Sequence, residues 1–238
     1  MGLAVRIIPT LLAKGTKLVK GRRFSADRVI GHVQQAALVH QARGVDELCI
    51  LDVAATPEGR GPDFEAISRL TDKCFMPLTV GGGIRSIEDV RGLLNAGADR
   101  VCIKTAYYAD FDFLDECASR FGSQAIVVAL DVREEHRTTL VLDLARDIEH
   151  RGAGEILLTA MDQEGTMQGY DLELIRAVSE AVDIPVIAHG GCSGYADMLA
   201  AIGHGASAVA AGALFQFTDA TPKGAAQYLS EYGVEVRL

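Results

Sequence analysis

A repeat at one fixed offset constrains this chain more than any other feature. Val80-Gly81-Gly82-Gly83-Ile84 returns 108 positions later, Gly82 to Gly190, as Ala188-His189-Gly190-Gly191-Cys192. The same offset links Pro77 to Pro185, Asp63-Phe64-Glu65 to Asp171-Leu172-Glu173, Gly97-Ala98 to Gly205-Ala206 and Glu47-Leu48 to Glu155-Ile156. Matches held in register over this distance divide the chain into two similar halves, roughly 1–120 and 121–238. In each half a short apolar run ends in glycines and leads into a helical pattern. Glycine lets backbone amides approach an anion closely, and a helix start adds its positive end. Each Gly-Gly is therefore a candidate phosphate cradle, and two at symmetric places suggest a ligand with two phosphates. Glycines that only make tight turns would leave the same letters.

Strand and helix patterns alternate throughout. Continuous apolar runs predict strands at 5–12, 47–52, 77–81, 100–104, 125–131, 155–159, 185–189 and 207–212. Such runs are expected of strands buried on both faces of a parallel sheet. Helical stretches are predicted over 33–43, 63–73, 87–96, 112–121, 140–151, 172–181 and 195–204, and many end on Gly. Eight strand–helix units with two-fold repetition predict a (β/α)8 TIM barrel with internal half-barrel duplication, one domain spanning 1–238. An open doubly wound sheet would not explain a repeat of four units. The length suits a barrel, which typically takes about 250 residues.

In such barrels chemistry sits at the C-terminal ends of the strands. By that rule Leu12, Asp52, Gly81, Gly82, Gly83, Lys104, Thr105, Asp131, Thr159, Asp162, Gly190, Gly191 and Gly212 fall at the active end. Asp131 closes the fifth strand, where a carboxylate serves as general acid or base or merely caps the next turn. The symmetric position on the first strand is Leu12, so an opposed pair of carboxylates is absent. Arg6, Glu47, Arg100 and Glu155 fall at the opposite end of the barrel. Their alternating signs fit a closed ring, although solvated rim charges would alternate too.

Composition bears on partners and compartment. A net charge of −9 argues against nucleic acid or an anionic membrane as partner. A phosphorylated small molecule would instead be held by local amides and a few cations. The five cysteines (49, 74, 102, 117, 192) are odd in number and lack CxxC spacing, which implies a reduced compartment, not a disulfide framework or a zinc site. There is no basic-then-apolar leader and no run approaching ~20 apolar residues. The expectation is a cytoplasmic protein with no metal and no cofactor.

These residues resemble the cyclase subunit family of imidazole glycerol phosphate synthase. The matching stretches are Arg6-Ile7-Ile8-Pro9, Val19-Lys20-Gly21, Asp46-Glu47-Leu48, Leu51-Asp52, Thr79 to Ile84, Gly97-Ala98-Asp99, Phe121-Gly122-Ser123-Gln124, Arg151 to Thr159, Gly165-Thr166 and Gly169-Tyr170-Asp171, down to Gly233 to Leu238. The resemblance implies a barrel that receives ammonia from a separate glutaminase subunit in a heterodimer and binds a bisphosphorylated ribosyl substrate. It implies one phosphate site at Gly82, Gly83, Thr105 and Lys104, where the family has Asn for Lys104. The second would be Gly165, Gly190, Gly191 and Gly212. Arg6, Glu47, Arg100 and Glu155 match the family's ammonia gate, with Arg standing where Lys is usual, and Asp99 and Gln124 match the face that docks the glutaminase.

Two departures stand at the same end of the barrel. The family uses an aspartate at the ends of both strand one and strand five; here Asp131 keeps the second and Leu12 replaces the first. A leucine carries no proton, and losing one such group costs roughly 10²–10⁴ in rate. The first loop is altered as well: Ala13-Lys14-Gly15-Thr16-Lys17 replaces an Asp-Gly turn, although Lys20 remains. After Asp131, Val132 to Thr139 run directly into the next helix, without the family's longer hairpin. The resemblance then implies a glutamine amidotransferase barrel whose ammonia is diverted to surface-sugar (acetamidino) biosynthesis with a separate sugar-amidating enzyme. The alternatives are an authentic cyclase of histidine biosynthesis, with His189 nearest the vacant position, or a non-catalytic ammonia conduit that activates the glutaminase.

Overall fold

The structure is a computed structural model that describes residues 4–136 and 139–237. Its strands are β1 (Arg6–Lys14), β2 (Lys17–Arg22), β3 (Ser25–His32), β4 (Leu48–Asp52), β5 (Leu78–Gly81), β6 (Arg100–Ile103), β7 (Ile126–Val132), β8 (Glu155–Ala160), β9 (Val186–His189) and β10 (Ala208–Ala211). Its helices are α1 (Val33–Ala42), α2 (Phe64–Thr71), α3 (Ile87–Asn95), α4 (Thr105–Ala109), α5 (Asp112–Phe121), α6 (Thr139–His150), α7 (Leu172–Ser179), α8 (Tyr195–Gly203), α9 (Ala213–Phe217) and α10 (Pro222–Glu231). β1 and β4 to β10 pair in chain order, all parallel, and β10 returns to β1 to close a (β/α)8 barrel.

Alternation along the strands builds two apolar layers. Ile7 and Leu11 on β1, with Leu48, Ile50, Val80, Val101, Ile126, Val128, Ile156 and Leu158, pack outward against the helices. Ile8, Cys49, Cys102, Val127, Ala129, Leu157, Ile187, Ala208 and Ala210 pack inward and line the bore with mostly small side chains. Burying each larger aliphatic side chain is worth about 1.5–3 kcal/mol. All five cysteines are buried and unbridged, and burial pushes the Cys102 thiol up to about 12, so it packs as a small hydrophobe.

The repeat read from the sequence has a local cause at each position. Pro77 O accepts the Leu48 amide at 2.9 Å, and Pro185 O accepts the Ile156 amide at 3.0 Å. Asp63 caps α2 through the Ala66 amide at 2.9 Å, and Asp171 caps α7 through the Leu174 amide at 3.1 Å. All eight predicted barrel strands are present, with ends shifted by at most two residues.

What the patterning missed is short or appended. β1 runs on to Lys14 because β2 folds back on it around Gly15-Thr16, pairing Leu12 with Val19 and Ala13 with Leu18. The β2–β3 hairpin, α4, α9 and α10 were not among the predicted elements. In the stretch after Asp131, Glu134–His136 form a 3-10 turn and α6 starts at Thr139. Arg137 and Thr138, like Leu238, lie outside the described residues. No helix among the described residues is long and apolar enough to cross a membrane.

Candidate functional site

The C-terminal ends of the strands surround a chamber of about 670 Å³. Leu12, Leu51, Ala129 and Leu157 form apolar wall, and Gly82, Gly83, Lys104, Thr105, Asp131, Thr159 and His189 supply polar groups. The residues of the first predicted cradle and the candidate acid–base carboxylate thus share one space. A smaller adjoining cavity brings together all four residues of the second cradle, Gly165, Gly190, Gly191 and Gly212.

The paired glycines also have a steric reason. Gly82 has φ +112°, and a Cβ there would lie 2.3 Å from Asp52 O; Gly190 has φ +94°, and its Cβ would lie 2.7 Å from Ala160 O. Asp52 and Ala160 are themselves one repeat apart, at the ends of β4 and β8. Only glycine fits where the chain turns back over the neighbouring strand end.

Among the described residues three carboxylates line the chamber, and each is held by a cation. Asp131, 9% exposed in its side chain, lies 2.5 Å from the Lys104 ammonium. That ammonium also sits 5.5 Å from the centroid of the Phe24 ring, at the hairpin tip. Asp52 pairs with Arg60 at 2.8 Å and accepts the amides of Ala54 and Ala55 at 3.1 and 3.2 Å, which fixes the loop after β4. Glu164 is buried and takes the equally buried Lys20 at 2.5 Å. Its second oxygen accepts the Phe24 amide at 3.4 Å, and its carbonyl accepts the Arg23 amide at 2.8 Å. Lys20 and Glu164 therefore fasten the β2–β3 hairpin to the turn after β8.

At the barrel floor the four predicted ring residues meet. Arg6 reaches Glu47 at 2.7 Å and Glu155 at 2.9 Å; Arg100 reaches Glu47 at 2.9 Å and Glu155 at 4.0 Å. Thr79 donates its hydroxyl to Glu47 at 2.6 Å. Burial pulls the Arg6 pKa down, but Glu155 and Glu47 outweigh it and the net shift is upward, so the guanidinium stays charged. The ring is closed, and the apolar bore lies directly behind it. Asp99 and Gln124 are exposed on the same end of the barrel. The Asp99 carboxylate accepts the Leu78 amide at 2.8 Å, and Gln124 donates to Phe121 O at 3.4 Å.

Sequence reading overlooked Glu164 and gave Lys20 no role. A carboxylate directly before the cradle glycine Gly165, and a lysine inside an otherwise apolar Leu18-Val19 run, were the available signals. The chamber is accordingly not limited to the carboxylate of Asp131.

Fold and site together define a class: a (β/α)8 barrel of two like halves, with glycine-lined cavities at one end and a salt-bridged ring at the other. A profile described as "Histidine biosynthesis protein" matches residues 6–221. A Campylobacter jejuni protein, provisionally named imidazole glycerol phosphate synthase subunit hisF2, is 42% identical over 247 aligned residues covering 99% of both chains. The Hyphomonas neptunium protein named imidazole glycerol phosphate synthase subunit HisF is 45% identical over 249 aligned residues, again 99% of both chains. The chain belongs to the histidine biosynthesis protein family, as a barrel of HisF type.

Proposed function

We propose that this barrel is the synthase subunit of a glutamine amidotransferase. A glutaminase partner docks on the face carrying Asp99 and Gln124 and releases ammonia at the ring of Arg6, Glu47, Arg100 and Glu155. Neutral ammonia, unlike ammonium, loses little on entering an apolar bore, and it emerges in the chamber beside Asp131. Gly82, Gly83 and Thr105 with Lys104, and Gly165, Gly190, Gly191 and Gly212, hold the phosphates of the ligand. The observation that carries this reading is the intact four-residue ring at one end combined with Leu12 at the other. The conduit is kept, while one of two proton carriers has become hydrocarbon. The ammonia then goes to a different acceptor, an acetamidino group on a surface sugar, through a separate amidating enzyme.

A second reading, the cyclase of histidine biosynthesis, is favoured by one observation: Glu164 gives the chamber a further buried carboxylate. Turnover of the phosphoribulosyl substrate with ammonium salts separates the two. The diverted role predicts negligible turnover. Clear turnover that falls by about 10²–10⁴ on Asp131→Asn would establish the cyclase instead.

A further inference from the structure

His189 ends β9 at the junction of two spaces. It and Glu164 are the residues that line both the 670 Å³ chamber and the smaller cavity of Gly165, Gly190, Gly191 and Gly212. His189 as a whole is 6% exposed. Its Nδ1 lies 3.1 Å from Thr159 Oγ1, whereas Nε2 has no hydrogen-bond partner among the described residues. His189 Nε2 is not among the buried side-chain atoms left without a partner, so this unpaired nitrogen is open to the space it faces and available to whatever enters there.

Its surroundings also say what kind of contact it makes. Burial, and then the nearby charge of Lys20, push the His189 pKa down to about 3, so the ring is neutral at ordinary pH. The Thr159 hydroxyl both donates and accepts, so either tautomer satisfies Nδ1 and Nε2 is free to present N–H or lone pair. Among the described residues the one ammonium beside the smaller cavity, that of Lys20, is taken by Glu164 at 2.5 Å. Of the two residues at the junction Glu164 is already taken by Lys20, so His189 is the one that offers an unpaired hydrogen-bonding atom there.

We propose that His189 is a specificity-determining residue, whose Nε2 hydrogen-bonds the hydroxyl-bearing carbon chain of a phosphate monoester where it leaves the glycine-lined cavity for the chamber. The inference rests on the reading above that this cavity takes a phosphate. It assigns His189 a role that a simple phosphate grip does not need: telling a sugar phosphate from free phosphate.

Calorimetric titration of the full chain with ribose 5-phosphate and with inorganic phosphate tests this. Wild type is expected to prefer ribose 5-phosphate by roughly tenfold, as one hydrogen bond of about average strength allows. His189→Ala is expected to bring the two within about twofold while leaving inorganic phosphate unchanged, and His189→Gln to recover part of the preference. Equal loss for both probes, or an unchanged preference in His189→Ala, overturns the proposal and leaves the ring a packing element. Binding of neither probe by wild type overturns the phosphate reading of the cavity and this inference with it. Nitrogen NMR of the wild-type histidines needs no variant: Nε2 of His189 is expected to shift with ribose 5-phosphate, and an unmoved signal at saturation also overturns the proposal.

Discussion

At the scale of single residues, two buried histidines set an acid limit on stability. His40, enclosed beneath Phe215, is pushed down to about 4 by burial and then by Arg43, and His189 is pushed down to about 3. In the unfolded chain both take a proton below the ordinary value of 6.5. Between that value and the depressed ones the unfolded state binds more protons, so stability falls as pH falls. The loss approaches about 1.4 kcal/mol per pH unit for each histidine, is absent above pH 6.5 and is complete only below the folded pKa. Urea midpoints from pH 7.5 to 4.5 should therefore drop, and the drop should be shallower in His40→Asn/His189→Asn; parallel curves would contradict it. Neither histidine's burial was legible from its letters. His40 sits in a mixed helical stretch, and His189 looks like one more polar residue before glycines, because burial depends on partners distant in sequence.

At the scale of elements, the hairpin β2–β3 hangs on one buried ion pair. Lys20 and Glu164 are each 5% exposed in their side chains, so removing one partner strands the other in a dry site. Glu164→Leu or Lys20→Met should cost about 3–5 kcal/mol, and the Lys20→Met/Glu164→Leu double variant should recover much of it. Chemical denaturation of the three variants checks this, and an additive double variant would show that the pair is not coupled. The same element marks the boundary of what patterning reveals. Barrel strands announce themselves as unbroken apolar runs because helices cover one face and the bore the other. β2 carries Lys17, Lys20 and Arg22 around only Leu18 and Val19, and its structure comes from pairing with β1, which no local period records. The paired glycines were legible because Gly82 and Gly190 answer a steric demand repeated in both halves, whereas the ion pairs that organise the chamber join residues from separate loops.

At the scale of the molecule, the two halves meet through ladders of the ordinary kind, β6 on β7 and β10 on β1. We propose that they fold as one unit. Fluorescence of the tyrosines and far-ultraviolet circular dichroism should then report one coincident denaturation transition, and two separated transitions would argue for independent halves. The bore gives a second test. Ala208 is fully buried on its inner wall; under the proposed route, Ala208→Phe should depress glutamine-fed amidation in the complex with the proposed glutaminase and amidating enzyme at least tenfold more than amidation fed by ammonium salts. Equal losses would count against passage along the barrel axis. The closed floor has a consequence of its own. Each guanidinium there lies within 4.0 Å of two acids, so the floor balances its own charges without any ion from solution. If the proposed ammonia route holds, a docked neighbour that competes for Arg6 or Arg100 is what would part the pairs that close this floor.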